Sequence, residues 1–124
     1  MRTFVQWLTT FLMLFGLGVP SAFAADFPNK TVRLIVPFPP GGATDALARL
    51  MAEKLSEKWK QAVVVENKPG ANTAIGTDII AKSAPDGHVV GIVTGSHVTN
   101  PLLGAKLPYD TLKDLTGVMM LTRF

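Results

Sequence analysis

The chain contains no cysteine. That excludes a disulfide framework, a thiolate metal site and a lipid-carrying cysteine at the start of an exported chain. Histidine is almost as scarce. His88 and His97 stand alone, with no carboxylate at a recurring offset, so no coordination set forms and neither metal nor cofactor is expected. The basic residues are scattered, which leaves no clustered face for nucleic acid. Net charge is only +3, and setting Arg2 aside leaves 11 basic residues against 9 acidic ones, too even a balance to argue for any charged partner. No Gly-Lys-Ser/Thr phosphate loop, Gly-x-Gly-x-x-Gly fingerprint or Gly-x-Ser-x-Gly elbow occurs. Nucleotide binding and serine-nucleophile chemistry therefore lack their usual scaffolds.

The first 24 residues read as a secretory leader. Met1-Arg2 supplies a short positive start, Phe4–Val19 is apolar apart from Gln6, Thr9 and Thr10, and Ala22-Phe23-Ala24 follows Pro20 as a small-x-small cleavage site. A single membrane anchor is the competing reading. The core is short and interrupted for that role, and a cleavage motif follows it. The expected mature domain is 25–124, with the cut after Ala24 and a periplasmic destination.

Within 25–124, three apolar β-branched runs alternate with helical patterns. Thr31–Val36 is nearly continuous in apolar residues, which predicts a strand covered on both faces. Ala46–Trp59 predicts a helix whose apolar stripe is Leu47, Leu50, Met51, Leu55 and Trp59, with Thr44 as N-cap and Asp45 in the first turn. Val63–Val65 reads as a second buried strand. A helix over 74–83 follows, capped by Asn72 or Thr73. Val89–Val93 reads as the third strand, with Gly91 marking the close approach of a neighbour. Gly95–Pro101 reads as a polar loop, Asp110 as the cap of a short turn, and Val118–Leu121 as the start of a fourth strand. His88 reads as a surface residue, and Trp59 and Tyr109 as packing residues. Strands alternating with helices predict a parallel sheet of α/β class, with all loops at the strand C-terminal ends sharing one edge.

That edge would carry Pro37–Asp45, Asn67–Thr73 and Thr94–Asn100. The first of these is the most distinctive stretch in the chain. Prolines stop the strand, Gly41 and Gly42 free the backbone, and the following helix opens with unpaired N–H groups and a positive dipole end. Such a loop suits a small anion. Asp45 reads first as a structural brace, because a carboxylate there would repel an anionic ligand unless its charge were committed elsewhere. Ser96 and His97 invite a catalytic reading but cannot be assembled with an acid into a triad.

Pro37-Phe38-Pro39-Pro40-Gly41-Gly42-Ala43-Thr44-Asp45, followed by Ala48-Arg49, resembles the first signature of the Bug-type solute-binding receptors of tripartite tricarboxylate transport systems. Val64–Ala71, Ala84–Gly87, Asn100-Pro101 and Leu107–Asp110 resemble later segments of that family in order. The resemblance implies a two-domain fold of the periplasmic-binding-protein type II kind, here the first domain without the second. It implies a periplasmic, non-enzymatic receptor that hands a small carboxylate to membrane permease subunits. Carried onto this chain, the ligand-binding positions are Phe38, Gly42, Ala43, Thr44 and Asp45, then Thr94, Ser96 and His97. Asn72 and Thr73 are further candidates, at positions where family members often carry glycine. A non-functional truncated remnant of such a receptor, or a small α/β hydrolase or transferase, are the alternative readings.

Overall fold

Strand β1, Val32–Val36, is the centre from which the rest is built. Its side chains are almost wholly buried, and Val32, Ile35 and Val36 are fully so. Burying each is worth about 1.5–3 kcal/mol relative to exposure. The structure, a computed structural model, describes residues 26–122. The expected leader and its cleavage point lie outside the described residues.

The elements follow as helix α1 (Ala43–Trp59), strand β2 (Val63–Asn67), a 3₁₀ turn (Ala71–Thr73), helix α2 (Ala74–Ala81), strand β3 (Val89–Gly91) and helix α3 (Ser96–Leu102). The sheet order is β2-β1-β3, and both pairings are parallel. Leu34 stands between Val65 and Val90, and Ile35 between Glu66 and Gly91. The expected α/β architecture with a parallel sheet is therefore what forms.

Each face of the sheet carries a helix. Leu34 and Val36 pack with Ala48 and Ala52 of α1 and with Ile92, and Val63, Val65, Val90 and Phe38 flank that cluster. Alternation along the strand sends Ile35 to the other face. There α2 lies against Pro37 through Gly76 and against Gly91 through Ile80.

Several expectations are corrected. The buried stripe of α1 is Asp45, Ala48 and Ala52, whereas Leu50 is 56% exposed and Leu47 and Met51 are half-buried. Small side chains let the helix sit close on the sheet, and the larger apolar residues fall to either side. The helix also starts earlier than expected. Gly42 is its N-cap with no side-chain cap, so Thr44 lies inside the first turn rather than capping it. Strand β2 is an edge strand with Val64 exposed, not a buried run. Helix α2 stops at Ala81, and Thr73 occupies its N-cap position without a side-chain capping bond.

The stretch read as a polar loop after β3 is mostly helix α3. Pro101 falls in the last turn of this short helix, which therefore lacks the bond to the His97 carbonyl that another residue there would make. The fourth strand is not formed among the described residues: Val118, Met119 and Met120 are exposed without a ladder, and Leu121 alone returns to the core cluster. His88 is buried rather than on the surface, its ring edge-on to Phe27 at 4.9 Å. Phe27 in turn meets Trp59 at 5.8 Å. Asp110 does brace a turn, its Oδ1 accepting the N–H groups of Leu112 and Lys113. No helix among the described residues is long and apolar enough to cross a membrane.

Candidate functional site

All three strands run the same way, so their following loops leave from one edge. Lys68 N–H donates to Val36 O at 2.8 Å and Ile92 N–H to Ile35 O at 3.1 Å, which roots the second and third loops beside the first.

The loop after β1 is held by one carboxylate. Gly41 takes φ +88° at the turn, a conformation open to glycine, and its N–H donates to Asp45 Oδ2 at 2.9 Å. Arg49 Nε donates to the same oxygen at 2.9 Å. Asn67 Nδ2 donates to Asp45 Oδ1 at 2.9 Å and also to the Phe38 carbonyl at 3.1 Å. Arg49 Nη2 reaches Asn67 Oδ1 at 3.2 Å and closes the ring of contacts. Asp45 is only 4% exposed, yet the Arg49 guanidinium, the Gly41 amide and the Asn67 amide hold its carboxyl far below the usual carboxylate range. Both oxygens are occupied, so Asp45 braces the loop from within.

That arrangement leaves the start of α1 open. The first helical bond is Ala46 N–H to Gly42 O at 3.0 Å, so the N–H groups of Ala43, Thr44 and Asp45 have no carbonyl partner in the helix. Gly42 and Ala43 are exposed and Thr44 is half-buried. Phe38 is half-buried and anchors the loop against the core cluster.

The second and third loops are joined to each other. Ala71, Asn72 and Thr73 all have positive φ (46°, 49° and 74°), a run of left-handed residues that costs of order 1–3 kcal/mol each and persists only where neighbours impose it. Asn72 Nδ2 donates to Asn100 Oδ1 at 2.6 Å, and Asn100 Nδ2 donates back to Asn72 O at 2.9 Å. Thr73 Oγ1 lies 3.0 Å from Ser96 Oγ, and Ser96 Oγ lies 2.9 Å from Thr94 Oγ1, giving three linked hydroxyls. His97 starts from the same turn of α3, but its Nε2 is 3.1 Å from Thr111 O, tying the helix to the segment beyond it.

Phe38 and Gly42–Asp45 are thus gathered at one end of α1, and Asn72, Thr73, Thr94 and Ser96 form a second group around the start of α2 and α3. Asn67, Arg49 and Asn100 organise the site; the segments that hold them carry the family resemblance, but none of the three is among the predicted binding positions. Asn67 ends a strand and Asn100 sits one residue before a proline, so neither position advertises a side-chain role. A shallow depression of about 600 Å³ is lined by Pro101, Leu107, Tyr109, Thr111 and Asp114 among others, and by none of the predicted binding residues. Among the described residues no cluster of histidine and acidic side chains could hold a metal ion.

The family model described as tripartite tricarboxylate transporter family receptor matches residues 47–124. Protein BugT of Bordetella pertussis is 39% identical over 121 residues, covering 91% of this chain and 37% of the relative. The solved structure of MatC from Rhodopseudomonas palustris with bound malate matches with a TM-score of 0.65 at 37% identity, over 71% of this chain and 30% of that one. A second R. palustris protein, solved with adipate, matches with a TM-score of 0.57 at 42% identity, over 58% of this chain and 24% of that one. The chain spans about a third of the length of the curated relatives it matches.

Proposed function

The chain belongs to the tripartite tricarboxylate transporter receptor family, and from that premise we propose that it forms a carboxylate-binding domain of an extracytoplasmic solute receptor. The observation that carries the proposal is the open first turn of α1, where the N–H groups of Ala43 and Thr44 lack helical partners beside a loop already braced by Asp45. A ligand carboxylate takes those donors and the positive dipole end. Thr44 adds a hydroxyl at that end, and Phe38 and Gly42 shape the approach. The linked hydroxyls of Thr73, Thr94 and Ser96, with Asn72, offer donors for a second polar group of the ligand, and His97 borders them. The malate and adipate held by the two solved relatives support a small dicarboxylate as the ligand class. In this reading residues 1–24 are a cleaved leader, 25–124 the ligand-binding domain, the location periplasmic, and the recipient of the ligand the permease subunits of a tripartite transporter. No catalytic step is assigned to any residue.

One helix terminus contributes about 1–2 kcal/mol toward an anion, so the chain by itself should bind in the range of roughly tens to hundreds of millimolar. Nuclear magnetic resonance titration of the nitrogen-15-labelled chain with malate, adipate and citrate, beside glucose and calcium, tests this. Shifts of the Gly42–Asp45 amides with the carboxylates are expected. Response to the sugar or the cation, with none to any carboxylate, would sink the proposal.

A further inference from the structure

We infer that Arg49 determines the charge preference of the loop after β1, by cancelling the Asp45 carboxylate so that an anionic ligand meets a neutral helix start. The inference rests on the carboxylate-binding reading above and identifies what makes that reading electrostatically workable. A carboxylate in the first turn of a helix complements the dipole and thereby consumes the attraction an incoming anion would use. Asp45 is the sole buried acidic side chain among the described residues, and its 4% exposure denies it solvent screening. Left alone, it would repel a second carboxylate held on the amides of the same turn.

The geometry shows how that repulsion is removed. Arg49 lies one turn along α1, with Nε 2.9 Å from Asp45 Oδ2 and Nη2 3.2 Å from Asn67 Oδ1. A guanidinium has five N–H donors and stays charged at every relevant pH, so two contacts position it without exhausting it. The other Asp45 contacts, from the Gly41 amide and Asn67, are neutral and cannot supply a compensating charge. Glu66, the second acidic residue at this end of the sheet, projects to the opposite face and is already paired with Arg33 at 2.6 Å and Lys68 at 3.6 Å. Charge balance at the loop therefore depends on one cation. Sequence position alone presents Arg49 as an ordinary solvated residue of the helix.

The probe is malate, titrated into the full chain at low and at high salt, with amide shifts of Gly42–Asp45 as the readout. Arg49→Gln keeps a donor and removes the charge, and should weaken malate roughly threefold at low salt. That loss should shrink as salt rises, because screening acts on charge repulsion and not on a misplaced loop. Arg49→Lys should retain most of the affinity. The pair Asp45→Asn with Arg49→Gln should recover part of what Arg49→Gln loses, and it carries the test where the single variant fails to fold. Unchanged malate affinity in Arg49→Gln, a loss that salt does not alter, or a double variant no better than the single would each overturn the inference while leaving the carboxylate reading intact. Absence of malate binding in the unaltered chain overturns both.

Discussion

Asn72 and Asn100 hold each other through two hydrogen bonds, side chain to side chain at 2.6 Å and side chain to backbone at 2.9 Å. The first fixes the position of a side chain, and the second satisfies a carbonyl inside a left-handed turn that has no helix or ladder to serve it. Asn100 is 5% exposed, so water cannot replace either bond at low cost.

Asn100→Ala should therefore destabilise the chain by about 1–3 kcal/mol, the cost of leaving buried polar groups unpaired. Thermal unfolding followed by circular dichroism gives the value. The Thr73 and Ser96 amide resonances should broaden in the variant, since the turn and the helix start lose their link. A change below a few tenths of a kcal/mol would show that the strained turn holds itself.

Acid should reach the loop after β1 last among the paired carboxylates, because Asp45 is held furthest below its ordinary range. Asp45 has a folded pKa well below its unfolded value, so its contribution is fully present above about pH 4 and is lost as pH falls toward the folded pKa. Asp86 behaves likewise: Lys30 and the His88 amide draw it down to about 2. Stability of the unaltered chain should fall steadily below pH 4, and Asp45→Asn should flatten part of that slope while lowering stability at pH 7. Equal slopes for the two proteins would contradict the assignment.

Gly76→Ala should be more damaging than its place in a helix suggests. A Cβ there would stand 2.7 Å from Pro37 Cβ and 2.9 Å from Lys68 O, and neither can move without shifting the sheet edge. A loss of about 1–3 kcal/mol is expected from overpacking, against the usual gain of alanine over glycine in a helix. Denaturant midpoints at equal m-value report it. A neutral or stabilising result would mean that α2 is free to lift from β1.

Phe27→Ala should cost about 0.5–1.5 kcal/mol, because its ring, though 54% exposed, meets His88 and Trp59 by edge contacts and closes over Gly87. Trp59 fluorescence should move to longer wavelength as water reaches the indole. Retention of the native emission would show that other groups cover it.

The parallel sheet and the site edge were legible because β-branched runs, prolines and glycines act locally. Gly91 announced a close approach, and Ile80 is the neighbour that uses it. Where tertiary packing decides, the pattern misled. The spacing of Leu47, Leu50 and Met51 describes a good apolar stripe, yet the sheet is approached by Ala48 and Ala52, since only small side chains let α1 lie close. His88 looked solvated because a polar residue at a strand start usually is, but Phe27, 61 positions away and itself set against Trp59, covers its ring. The site braces were invisible for a related reason. Asn67 and Asp45 stand 22 residues apart and Asn72 and Asn100 stand 28 apart, so their pairing exists only once the strands align.

The order β2-β1-β3 also sets a sequence of release. Each amide of β1 is bonded to one neighbour only, Val32 N–H to Ala62 O on the β2 side and Arg33 N–H to His88 O on the β3 side, so peeling of the short β3 exposes only the alternate amides while those facing β2 stay protected from solvent deuterium. The proline-glycine loop hangs from that most slowly exchanging strand, whereas the hydroxyl group at the start of α3 hangs from short, outer β3. Protection from isotope exchange should thus be lost first around Thr94 and Ser96 and last at the Leu34 and Val36 amides. One wall of the proposed pocket is a clock that runs fast, and the other barely ticks.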